Sequence, residues 1–264
     1  MNIRRHTRQV CCWWIMMIGI AICLKYFYSI ATPLDLQWLL RPLALLTQWL
    51  LGLQFINNGS GEWLNVENNI AIIKSCSGIN FMILSLFVYA KRYQPVVVPS
   101  RGRRNILMMT GRDIVICLLA AWCATLTVNA IRIVVAIQLY RYEITFAGLS
   151  PDQLHRIAGV VIYFPALWLQ FHLFGRIRNV HAGIIAALFY LGLLIFVPLI
   201  TGNYLGQPRV FIEHVLVAGV LTIASLVIHS GILSLWRKYR DRYEKWEANN
   251  RRQKLLISRI RKRL

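Results

Sequence analysis

Charged side chains are scarce in this 264-residue chain, at 15% of residues, and acidic ones are scarcer still, with ten Asp and Glu against thirty Lys and Arg. An ordinary soluble domain has roughly 25% charged and about 45–50% apolar residues, whereas 57% of this chain is hydrophobic. That imbalance excludes a soluble globular protein and implies an all-α polytopic membrane protein. At roughly 20 apolar residues per crossing, the chain has room for six to eight transmembrane helices and no large soluble catalytic domain. Any chemistry must sit on helix ends and short loops. Internal repeats of tens of residues and low-complexity stretches are also lacking.

Several motifs are missing as well. Without a His-Glu-x-x-His helix a zinc peptidase is not supported. Gly59-Ser60-Gly61 is a loop fragment without the Gly-x-Ser-x-Gly setting of a serine nucleophile. The six cysteines are Cys11, Cys12, Cys23, Cys76, Cys117 and Cys123. Five lie in apolar runs, where a thiol behaves as a small hydrophobe, and none has metal-ligand spacing backed by histidines. No metal and no cofactor is therefore expected. The net charge of +20 would suggest nucleic acid in a soluble chain. Here no basic groove interleaved with aromatics is visible, and no nucleic-acid partner is expected.

What is present is a succession of long apolar runs. Val10 to Ile30 follows Arg4, Arg5 and Arg8, leaves residues 1–9 as a cytoplasmic N-terminus, and reads as a retained signal anchor. A cleavable signal peptide is the rival, since Ser29-Ile30-Ala31 is a small-x-small site. Ala71 to Ala90, Ile114 to Leu139, Ile157 to Phe174, Ala182 to Ile200 and Val215 to Leu235 are each long enough to cross. Lys91, Arg92, Arg101, Arg103, Arg104, Arg112, Arg176, Arg178 and the twelve Lys and Arg from Arg237 onward fall on the same side as the N-terminal arginines. The positive-inside rule makes that side cytoplasmic and turns Ile56 to Ile70, Tyr140 to Arg156 and Thr201 to His214 outward. Leu36 to Phe55 would break this parity as a full crossing. With Gln37, Arg41 and Gln48 on one stripe, it is expected to be an interfacial or re-entrant helix on the outer face, the alternative being a true span. The transmembrane domain covers residues 10–235. Residues 236–264 form a basic cytoplasmic tail in which Trp236, Tyr239, Tyr243 and Trp246 recur at helical spacing, suited to anionic membrane lipid or simply solvated.

Ionisable groups inside apolar spans cost roughly 2.5–3.5 kcal/mol at mid-membrane and point to function. Cys76 opens its run, Arg132 lies roughly 10 Å from the outer end of its helix at 1.5 Å per residue, and His155 starts the next. All three fall at the outer leaflet. A thiolate is the nucleophile of thioester acyl transfer, and a neighbouring cation favours it. An imidazole can take the thiol proton and return it to a leaving amine, and a guanidinium can hold the oxyanion. Each residue also has a plain explanation: a packed thiol, an arginine reaching headgroups and a solvated loop-edge histidine.

At these residues the chain resembles the exosortase/archaeosortase family of membrane transpeptidases. The family pattern appears as Ser75-Cys76-Ser77-Gly78, as Asn129-Ala130-Ile131-Arg132-Ile133, and as His155 with Gly159, Tyr163 and Phe164, within residues 62–164. Val160 stands where many members carry Trp. The resemblance implies an enzyme integral to a prokaryotic inner membrane. Its partners would be exported proteins ending in a short motif, a transmembrane helix and a basic tail, and an amine acceptor of unknown identity at the envelope. It makes Cys76 the nucleophile, Arg132 the oxyanion or thiolate stabiliser and His155 the proton shuttle. Gly78 belongs to the nucleophile block, and Asn129, three residues before Arg132, is placed to orient it.

His214 competes with His155 for the role of base, because it opens the last span on the same outward side. His172 and His229 fall at cytoplasmic helix ends, and His6 and His181 on the cytoplasmic side. The non-enzymatic alternative is a transporter or envelope-assembly scaffold in which Arg132 binds an anionic substrate and Cys76 is incidental.

Overall fold

The first apolar run forms α1 (Ile3–Ile30) in a computed structural model that describes residues 3–68, 70–94, 103–142 and 151–174, with separate helical residues between 184 and 247. The chain divides into two compact units, Met1–Thr222 and Ile223–Leu264. α1 ends at Ile30, shortly before Pro33, which cannot continue a helix. Its last carbonyls do not go unpaired: the Lys74 ammonium donates to Ser29 O at 3.3 Å and Ala31 O at 2.6 Å, a favourable place for a cation. In the following turn, Thr32 donates its hydroxyl and its amide N–H to Asp35, and these bonds, with Lys74 nearby, hold the Asp35 carboxyl below its usual range.

α2 (Gln37–Leu51) buries Leu39, Leu40, Leu43, Ala44 and Thr47 along one face. Its 15 residues make roughly 22 Å, short of the ~30 Å hydrocarbon core. Pro42 sits inside it and withdraws the N–H that would otherwise reach the Trp38 carbonyl. The Trp122 indole donates to that carbonyl instead, at 3.2 Å. Gly52 closes the helix in the left-handed region, with φ +67° and its N–H on Gln48 O at 2.8 Å. Gln37 of the polar stripe reaches the next element: it accepts from the Trp63 indole at 3.0 Å and donates to Gly61 O at 2.5 Å.

That element is a small antiparallel sheet of β1 (Ile56–Asn57), β2 (Trp63–Asn65) and β3 (Ile70–Ile72), in the order β1-β2-β3. Ile56 pairs with Leu64, and Leu64 with Ala71. It is a local addition to a predominantly helical chain in a segment expected to be loop. It also corrects the expectation of one span over Ala71 to Ala90. β3 ends at Ile72, a 3-10 turn occupies Lys74–Ser77, and α3 runs only from Ile79 to Arg92. α3 is a core helix, with ten of its 14 residues buried, and the Trp13 indole ties α1 to its Ala90 carbonyl at 3.0 Å.

α4 (Arg103–Arg141) and α5 (Pro151–Phe174) complete the described bundle. α3 packs against α1, α4 and α5, and α4 also against α2 and α5. Among the described residues, three helical segments are long and apolar enough to cross a membrane: Gln9–Ile30, Gly111–Arg141 and Ile157–Phe174. They correspond to three of the runs expected to span. Within Ala182 to Ile200 the described residues are scattered and helical, and Val215 to Leu235 begins with a shorter apolar helix, Val215–Ala224.

Candidate functional site

Cys76 lies on the 3-10 turn between β3 and α3, half-buried, with its N–H on Ile73 O at 2.8 Å. Gly78 ends the turn at φ +72°, a conformation that costs an L-residue about 1–2 kcal/mol. A Cβ there would also stand 2.9 Å from Asn129 Nδ2 and 3.1 Å from Thr125 Cγ2. Glycine is thus required twice, for the backbone angle and for the approach of α4. Through that gap the Asn129 amide donates to the Cys76 carbonyl.

Asn129 is fully buried, so both ends of its amide need partners. Its Oδ1 accepts the Tyr163 hydroxyl at 2.6 Å. One helical turn further along α4, Arg132 donates from Nη1 to the same hydroxyl oxygen at 3.4 Å and from Nη2 to His155 Nε2 at 3.2 Å. A guanidinium has only donors. Nε2 must therefore be the accepting nitrogen, and the His155 ring proton sits on Nδ1.

His155, Gly159 and Tyr163 recur every four residues on one face of α5. A Cβ on Gly159 would lie 3.3 Å from Arg132 Nε, so this glycine leaves the notch through which the arginine passes from α4 to reach its neighbours on either side. The Tyr163 ring stacks on Phe81 with centroids 4.9 Å apart and takes the Arg132 guanidinium over its face at 5.4 Å. The Tyr140 ring lies 6.1 Å from that of His155. α1 contributes Lys25 and Tyr28: Lys25 and, from the 3-10 turn, Lys74 lie 5.4 and 5.0 Å from the centre of the Tyr28 ring, and Lys25 donates to Asn80 at 2.8 Å.

Of the residues singled out in the sequence, Gly78 and Asn129 meet at the Cys76 turn, and Arg132 and His155 are linked to them through the Tyr163 hydroxyl. Cys76 joins them through its carbonyl, which accepts from the Asn129 amide. Asn129 meets Arg132 through the Tyr163 hydroxyl rather than directly. α4 continues to Arg141, so Arg132 stands about 13 Å from its end rather than 10 Å. His214 lies outside the described residues. Among the described residues, no group of three or more His, Cys, Asp or Glu is arranged to hold a metal ion.

Sequence reasoning gave Tyr163 no role, although its place two four-residue steps after His155 was a usable signal. No protein-family model matches the chain, and neither a curated protein nor a solved structure matches it.

Proposed function

We propose that this chain is a membrane cysteine peptidase or transpeptidase of the exosortase/archaeosortase kind. In this view it has six to eight transmembrane helices, both termini in the cytoplasm, and its active site at the outer leaflet of a prokaryotic inner membrane. It acts on exported proteins that end in a short motif, a transmembrane helix and a basic segment. The observation that carries the proposal is the hydrogen-bonded path that runs from His155 through Arg132, Tyr163 and Asn129 to the carbonyl of Cys76.

The chemistry follows from those groups. The Cys76 thiol gives its proton to His155, and the thiolate attacks the scissile carbonyl carbon. The tetrahedral oxyanion collapses to a Cys76 thioester as the amine leaves with the proton returned by His155. An amine acceptor, or water, then attacks the thioester and releases the thiol. In the resting arrangement Arg132 occupies the Nε2 lone pair of His155. Once Nε2 is protonated it can no longer accept, and two cations face each other. Proton uptake therefore frees Nη2 of Arg132 as negative charge develops on the acyl oxygen, where preorganised charge has its largest effect.

Intact-mass detection of an enzyme–substrate adduct tests this, using purified protein and a candidate sorting-signal peptide. The wild type is expected to form a hydroxylamine-labile adduct that Cys76→Ala abolishes. Cys76→Ser is nearly as damaging, because an alkoxide is far harder to generate than a thiolate. Arg132→Ala lowers the rate by about 10²–10³-fold, as loss of an oxyanion donor does. An adduct that persists in Cys76→Ala refutes the assignment. Cellular function that survives Cys76→Ala but fails in Arg132→Ala favours the anion-binding transporter or scaffold.

A further inference from the structure

We infer that Tyr163 is a positioning residue whose single hydroxyl orients the Asn129 amide that holds the Cys76 carbonyl and anchors the Arg132 guanidinium next to His155; this deepens, and rests on, the function proposed above. The hydrogen-bond logic runs one way. A guanidinium only donates, so at the Tyr163 oxygen Arg132 Nη1 is the donor and the phenol is left to give its one proton to Asn129 Oδ1. With Oδ1 committed to Tyr163, the Asn129 Nδ2 faces the Cys76 carbonyl. An amide turned the other way would set oxygen against oxygen at Cys76 and leave the Tyr163 proton facing N–H groups. The direction of one phenolic proton therefore decides whether the Cys76 turn is held.

The same oxygen acts on Arg132. His155 and Tyr163 hold the two terminal nitrogens of the guanidinium. When His155 carries the thiol proton, the first anchor is lost and Tyr163 remains, through its oxygen and through its ring face at 5.4 Å. Arg132 then pivots about Nη1 and does not leave the site. The hydroxyl is itself placed by packing, because Phe81 stacks on the ring at 4.9 Å. Tyr163→Phe keeps that stacking and the ring under the guanidinium, and removes only the oxygen.

Two measurements on the full-length protein in lipid nanodiscs test the inference, with Tyr163→Leu as the variant that loses ring and hydroxyl together. In single-turnover adduct formation, Tyr163→Phe is expected to lower the maximal rate by about 10²-fold, the order of loss for a misplacement near 1 Å. The half-saturating peptide concentration should stay within about two-fold, and Tyr163→Leu should be little worse than Tyr163→Phe. In hydrogen exchange, the amides of residues 74–78 should exchange faster in Tyr163→Phe than in wild type, although residue 163 is on another helix. A maximal rate at the wild-type level in Tyr163→Phe, with loss only in Tyr163→Leu, overturns the inference in favour of ring packing. Unchanged exchange at 74–78 overturns it too, and that measurement needs no substrate. Failure of the wild type to form any Cys76-dependent adduct instead counts against the proposed function, and leaves the exchange result to decide the role of Tyr163.

Discussion

Two glycines around the Cys76 turn do different work, and substitution separates them. Gly78→Ala places a Cβ in the left-handed region and 2.9 Å from Asn129 Nδ2, so Asn129 must surrender the Cys76 carbonyl. The expected outcome is a loss of about 2 kcal/mol or more in stability, seen as a lower thermal midpoint, together with loss of adduct formation. Gly159→Ala falls in a helix, where alanine is favoured by up to about 1 kcal/mol, and its new methyl meets only Arg132 Nε at 3.3 Å. It is expected to leave the thermal midpoint unchanged or raised while adduct formation slows, because the arginine is shifted by a few tenths of an ångström. Equal effects of the two substitutions on stability would contradict this account. Cys76, Arg132 and His155 were singled out in the sequence as polar residues expected at one depth of apolar runs. The roles of Gly159 and Tyr163 were not, because a notch and a shared hydroxyl exist only where α4 and α5 touch.

Among the elements, α2 is held by a bond that no local pattern reveals. Pro42 leaves the Trp38 carbonyl without its helical donor, and Trp122 of α4 supplies one at 3.2 Å. Trp122→Phe is expected to cost about 1 kcal/mol, the ordinary net worth of a hydrogen bond, on top of any packing loss. In a Pro42→Ala chain the backbone donor returns, and the same Trp122→Phe change should cost correspondingly less. Unfolding of the four chains of this double-mutant cycle reads the coupling, and additive effects would show that the indole contributes nothing to that carbonyl. The interruption of the Ala71 to Ala90 run belongs to the same scale. By composition the stretch is one apolar segment, yet Gly78 and the pairing of β3 with β2 break it into strand, turn and helix. Non-helical backbone at membrane depth is tolerated where protein surrounds it, and α3 and the turn pack against neighbouring elements.

For the whole molecule, charge and hydropathy carry the argument. With Lys and Arg gathered in the N-terminal arm, the segment after α3 and the tail, the β1–β2 loop is expected outside and the α3–α4 connection inside. In a chain with its six cysteines replaced, a membrane-impermeant thiol reagent added to intact cells should label Asn58→Cys. It should reach Ser100→Cys only after the membrane is opened, and the reverse pattern would invert the topology. What the sequence by itself determined is the apolar, helical character of the chain, the long membrane-compatible segments within α1, α4 and α5, and the handful of polar residues worth attention. Each of these follows from local composition, since hydrocarbon admits long apolar helices and penalises isolated charge. What only the tertiary structure decided is the broken segment before α3, the short sheet over α2, the Trp122 bond to Trp38, and the path from His155 through Arg132, Tyr163 and Asn129 to the Cys76 carbonyl. Those features depend on which donor meets which acceptor across elements distant in sequence, and hydropathy, which weighs each residue alone, holds no record of such pairings.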